Sequence, residues 1–149
     1  MPRIRIDLPE HFGFSTEIPI YIGHINYGHH LDNSALLSLV SEARVRFFKS
    51  LGYTELDVEG VGIVVVDAAV QYRSEAFHGE VLRFDMACAD FNKYGCDLVW
   101  RITTGEREVA RGKTGILFLD YRVKKPVRVP VPFLEKVGGP LPDGDVPAA

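Results

Sequence analysis

The chain has 149 residues, a usual size for one domain and enough to enclose one core. Apolar residues make up 46% and charged residues 25%, a globular balance that excludes disorder over most of the length. A net charge of −3 excludes a broad nucleic-acid-binding face, and two cysteines are too few for a disulfide framework.

The opening residues, MPRIRIDLPEHF, lack the apolar core of a secretory leader, and no apolar run approaches the ~20 residues of a membrane helix. A cytoplasmic chain without membrane or nucleic-acid partners is therefore expected, with Cys88 and Cys96 as small packed thiols. Residues 14–22 predict a strand with Ile18, Ile20 and Ile22 on one side. Pro19 between them cannot donate to an inner ladder, so this strand belongs at a sheet edge.

A polar passage over residues 24–33 leads into a helix expected from about 33 to 51. Asp32, Asn33 and Ser34 are all good N-cap types, and Gly52 marks the end. Leu36, Val40, Ala43, Phe47 and Leu51 recur at helical spacing, while Leu37, Leu39 and Phe48 widen the stripe. A helix apolar over so much of its girth must be wrapped on several sides.

The rest reads as strands. Residues 62–72 are rich in β-branched side chains and end before a turn at 77–79. Residues 80–91 alternate, Asn92 and Lys93 form a hairpin tip, and strands follow at 94–104 and 107–121 across a turn at Gly105 and Glu106. The basic run at 122–128 suits either a solvated loop or an anion contact. From Gly138 onward Gly, Pro and Asp dominate, so one domain over 1–137 with a flexible tail over 138–149 is expected. One long helix against an antiparallel sheet of five to six strands is an α+β layout in which the sheet curls around the helix.

The passage His24-Ile25-Asn26-Tyr27-Gly28-His29-His30-Leu31-Asp32-Asn33 concentrates the polar chemistry. Gly28 permits close backbone approach, and the N–H groups of the first helical turn carry partial positive charge suited to a carbonyl oxygen. A polarised carbonyl beside residues that handle water is the equipment of acyl transfer.

These residues resemble the 4-hydroxybenzoyl-CoA thioesterase branch of the hot-dog superfamily. That branch often carries D-x-D-x-x-G-H-x-N-N, then a helix with E-A-R and a Leu-Gly end. His30 and Asn33 match outright, and Glu42-Ala43-Arg44 and Leu51-Gly52 follow at the right distances. The segment from Tyr72 through Gly79 to Leu82 is similar to the family's Tyr, turn, Gly-Asp, Leu stretch. The departures are chemical. Asn26 stands where the family has its catalytic aspartate, His24 where it has the first aspartate, His29 at the glycine (with Gly28 one place earlier) and Asp32 at the first asparagine. Asparagine cannot serve as a general base near neutral pH, so either Asn26 orients water or another carboxylate does the work.

Two carboxylates present themselves. Asp67 interrupts an apolar strand and either bonds nearby backbone or faces the site as base or water-positioner. Glu42 either pairs with Arg46 one turn on or acts as the helix glutamate that a related hot-dog branch uses. Asp32 suits a helix cap, His29 and His30 either acid–base roles or loop bracing, His24 either role, and Tyr27 the acyl pocket or ordinary packing. The three histidines lack zinc-site spacing and no G-x-S-x-G elbow occurs, so neither a metal nor another cofactor is expected.

The resemblance implies hydrolysis of an acyl-CoA or acyl-carrier thioester. Asn26, His30 and either Asp67 or Glu42 would do the chemistry, and Tyr27, Gly28, His29, Asp32, Asn33 and Arg73 would line the site. Lys124 and Lys125 join Arg73 as candidates for the nucleotide phosphates. The resemblance also implies a homodimer joined sheet edge to sheet edge, or a homotetramer, with sites at the subunit interfaces. Asn26 leaves room for a non-catalytic acyl-thioester binder. A hydroxyacyl dehydratase fits less well, since His11-Phe12-Gly13 does not continue into Pro-Gly.

Overall fold

The computed structural model describes residues 3–142. Its elements are β1 (Phe14–Pro19), a single 3₁₀ turn (Ile22–His24), α1 (Asn33–Ser50), β2 (Gly62–Tyr72), β3 (Val81–Ala89), β4 (Gly95–Thr104), β5 (Arg107–Asp120), β6 (Lys125–Pro126) and α2 (Val131–Val137). All strand pairs are antiparallel in the order β1-β3-β4-β5-β2, with β6 adding two residues to β5. This is the α+β layout expected, a six-stranded sheet around one long helix.

The helix starts where local chemistry allows. Asp32 has extended backbone, and its carboxylate accepts from the N–H groups of Ser34 and Ala35. From there α1 buries Leu36, Leu39, Val40, Ala43, Phe47 and Phe48. Opposite them the alternation of the strands supplies Leu82, Phe84, Met86, Leu98, Trp100, Ile102, Ile116 and Phe118, all buried in one core. Gly112 lies directly across from Trp100, and a Cβ there would collide with the indole ring and the Ala69 carbonyl. Polar ties then set the helix's rotation. Arg44 pairs with Glu55 at 2.9 Å, and Arg46 bridges Glu42 (2.8 Å), the Thr16 hydroxyl and the Glu17 carbonyl (2.9 Å each). No helix among the described residues is long and apolar enough to cross a membrane.

Three features depart from the sequence reading. Ile22 does not continue the apolar row of Ile18 and Ile20: the strand stops at Pro19, the chain turns, and Ile22 is 70% exposed. The middle of β2 is not buried, because β2 is an edge strand, and Val65 and Val66 lie in the open at a bulge. After β5 the chain adds β6 and then α2, neither of which was expected. Pro130 caps α2, Gly138 ends it with φ 68°, and Phe133 sinks fully among Phe48, Tyr53 and Phe118. Gly138 thus belongs to a cap rather than to a frayed tail, and residues 143–149 of the expected tail lie outside the described residues. Both cysteines are free; the Cys88 thiol is held in its protonated form by its hydrogen bond with Cys96 and by burial.

The opposite face of the sheet is partly covered as well. Ile6 and Val99 are buried there, outside the main core. The incoming chain is held by the Arg111 guanidinium donating to the Ile6 carbonyl at 3.3 Å and by the Ile6 N–H donating to Gln71 at 3.4 Å.

Candidate active site

The polar passage folds back on itself before entering α1. The His29 N–H donates to the Asn26 carbonyl and the Asn26 N–H to the His30 carbonyl, both at 3.0 Å, with His29 in the left-handed region at φ 63°. Asp32 N–H donates to the His24 carbonyl at 2.8 Å, and Leu31 N–H reaches across to the Ala76 carbonyl at 2.8 Å. That last bond fastens the passage to the loop after β2. The Tyr72 hydroxyl adds a second tie, donating to the Asn33 carbonyl at 3.0 Å.

A cleft of about 360 Å³ lies between these segments. Leu31, Leu36, Ala76 and Val109 form an apolar floor, and Asn26, His30, Asn33, Tyr72, Arg73 and Glu75 supply its polar wall. Asn26 is fixed by accepting from the Gly28 N–H at 2.9 Å. Gly28 is where the packing is tightest: a Cβ on it would meet His30 Nε2 at 2.7 Å and Asn26 Oδ1 at 3.3 Å. The His30 ring is oriented through Nδ1, which lies 3.2 Å from the Leu31 carbonyl oxygen. Since a carbonyl only accepts, Nδ1 carries the proton, and Nε2 turns its lone pair toward the cleft.

The electrostatics at the helix start are specific. Asp32 takes the N–H groups of Ser34 (3.0 Å) and Ala35 (3.1 Å) and the Ser34 hydroxyl. The Ser34 hydroxyl first, then the Ala35 N–H, hold its carboxyl below the ordinary aspartate value, with the Asn26 side chain contributing. The Leu36 N–H donates to the Asp32 carbonyl, so among the described residues the Asn33 N–H alone of the first turn has no acceptor. Burial, and then the Asp32 charge, raise the Tyr72 phenol above its ordinary value.

The structure brings Asn26, Gly28, His30, Asp32, Asn33 and Arg73 together around the cleft or its cap. Others lie elsewhere in a single chain. Tyr27 is fully exposed at the tip of the passage beside a shallower hollow, and His29 points away to solvent. His24 accepts from the Tyr21 N–H and stacks on the Tyr21 ring. Glu42 is engaged by Arg46. The Asp67 side chain is 60% exposed beside Lys113, 3.6 Å away, rather than buried in the strand. Lys124 ends the turn before β6 and Lys125 opens that strand, both off the cleft wall. Tyr72 and Glu75 are cleft residues that the sequence reading did not single out as site residues. Their signal was present in the tyrosine and turn after β2 but needed the Leu31–Ala76 bond to become a site.

A family model described as the thioesterase-like superfamily matches residues 20–137. Searched against curated protein sequences, the chain finds no match. Among solved structures, it is similar to a 1,4-dihydroxy-2-naphthoyl-CoA thioesterase from Synechocystis, with 17% identity, 90% of this chain and 98% of that one covered, and a TM-score of 0.75. A candidate thioesterase from Pseudomonas aeruginosa gives 19% identity, 85% and 99% coverage and a TM-score of 0.78. A protein of unassigned function from Thermus thermophilus gives 20%, 83% and 96%, and 0.74. At these identities the likeness is one of fold, the hot-dog arrangement of a curled sheet around a central helix.

Proposed function

The chain belongs to the thioesterase-like superfamily, and we propose that it hydrolyses an acyl thioester, of coenzyme A or of a carrier protein, in the cleft beside the start of α1. One observation carries the reading: Asn26 Oδ1 and His30 Nε2 both crowd the space that a Cβ on Gly28 would take, and Asn26, His30 and Asn33 line one cleft at the start of α1.

In this reading the thioester carbonyl docks against the Asn33 N–H, where the helix dipole favours the developing oxyanion. Asn26 orients a water, and His30 Nε2 removes its proton as the oxygen attacks carbon. The tetrahedral intermediate collapses with loss of the thiolate, which takes the proton back from the imidazolium. The acyl group lies on the apolar floor at Leu36, and Arg73 on the cleft wall would meet the phosphates. A homodimer is supported by the edge of β2, a long strand with Val65 and Val66 exposed and neither Pro nor Lys to block pairing. Asp67 lies on that edge, so it reaches a cleft only when a second copy brings it there. The domain is expected to span residues 1–137.

Asn26 at the position of a family aspartate favours one second reading, an acyl-thioester binder without turnover. Thiol release measured over a panel of aliphatic and aromatic acyl-CoAs separates the two. Turnover abolished by Asn26→Ala supports hydrolysis; tight binding with no thiol release across the panel supports the binder and overturns the proposal.

A further inference from the structure

Hydrolysis with asparagine at position 26 leaves a chemical gap, because a neutral imidazole that takes a proton from water becomes a cation with no counter-charge. The carboxylates singled out from the sequence do not fill it within one chain: Glu42 is engaged by Arg46 and Asp67 by Lys113. Asp32 is consumed by capping, accepting from two backbone amides and a hydroxyl. Glu75 remains. It lines the cleft, and its one charged contact among the described residues is His30, with Oε1 4.0 Å from Nε2.

This juxtaposition is built into the backbone. The Leu31 N–H donates to the Ala76 carbonyl at 2.8 Å, so the residue after His30 is bonded to the residue after Glu75. The Leu31 carbonyl also takes the His30 Nδ1–H, turning Nε2 toward the carboxylate. The other charged residue lining the cleft, Arg73, is opposite to Glu75 in sign.

We propose that Glu75 is a positioning residue that supplies the counter-charge absent from position 26, acting through His30. It rests on the hydrolytic reading for its consequence, though not for its test. As His30 Nε2 takes the water proton, the new N–H faces the Glu75 carboxylate, which stabilises the imidazolium. When the C–S bond breaks, the same proton passes to the departing sulfur and the pair returns to its starting state. Glu75 forms no covalent bond and the overall reaction consumes one water.

Two measurements test the pair. In turnover of a good acyl-CoA, Glu75→Gln should lower kcat about 10-fold with little change in KM, a modest effect because the carboxylate is largely exposed and screened. Glu75→Asp should recover part of the loss, and Glu75→Gln should cost nothing further in a His30→Ala background. Independently of any substrate, the imidazole ¹⁵N resonances of His30, identified by their loss in His30→Ala, should move on Glu75→Gln. Unmoved resonances, or a kcat loss that persists undiminished without His30, overturn the pairing. If wild-type protein turns over no thioester while those resonances respond, the hydrolytic reading falls and the pair stands.

Discussion

Gly28→Ala is the sharpest probe of the cleft, because the clash it creates can be measured. The added carbon would lie 2.7 Å from His30 Nε2, 3.0 Å from Cδ2 of the same ring and 3.3 Å from Asn26 Oδ1. Non-bonded contacts settle near ~3.5 Å, so the imidazole must retreat by roughly 0.8 Å. Displacing a reacting group by about 1 Å costs on the order of 10²-fold in rate, so kcat/KM should fall roughly 30- to 100-fold, about 2–2.7 kcal/mol of transition-state stabilisation. Folding should not suffer in parallel. Gly28 is exposed and does not occupy the left-handed region, so alanine fits its backbone and restricts the unfolded chain by a gain of ~0.4–1 kcal/mol. Thiol-release kinetics and urea unfolding on the same preparations read both effects. Gly23→Ala is the control, since a Cβ there meets nothing within 4 Å. Full activity in Gly28→Ala, or an equal loss in Gly23→Ala, would refute the placement of His30 and Asn26 at the reacting centre.

Two further outcomes follow from the ends of α1 and the edge of the sheet. The Ser34 hydroxyl and Ala35 N–H lower the folded-state value of Asp32, so its contribution to stability is complete above the usual carboxylate range near ~4 and is lost as the pH falls through the lowered value. Thermal melts from pH 2 to 6 should therefore show an acid-side loss in wild type that Asp32→Asn lacks; identical acid limbs would contradict the cap. Replacing Val65 and Val66 with lysine should convert a dimer into a monomer by analytical ultracentrifugation, because charge on both residues blocks strand addition. A dimer that survives both changes is joined elsewhere.

The elements most legible in the sequence are those whose signals are local. β2 begins at Gly62 and ends at Tyr72 as its β-branched run does, and α1 begins behind Asp32 and closes before Gly52, where φ is 87°. α2 was hidden for the opposite reason. Seven residues holding a proline and two valines have little helical preference of their own, and the segment is held by Phe133 packing on Phe48 and Tyr53 at the end of α1 and on Phe118 in β5, two distant parts of the chain. The exposure of β2 was equally invisible, since its apolar run reads as a buried strand. Strand order, which no local pattern encodes, puts it at the edge.

The site divides along the same line. Asn26, His30 and Asn33 are close in sequence and stay close in space, lining one cleft at the start of α1. Carboxylates are harder, because their reach depends on what holds them: Arg46 is itself pinned to Thr16 and Glu17, and so draws Glu42 toward β1. The cap carries a further consequence for catalysis. Asp32 starts the helix by consuming the amides of Ser34 and Ala35, and its negative charge opposes an oxyanion at that spot. In the proposed hydrolysis, an anionic intermediate bound at the first turn would therefore lie on the Asn33 side, away from the carboxylate. Asn33 shares its cleft wall with His30, so in that reading the residue that begins the helix would also select which flank of its N-terminus is available for chemistry.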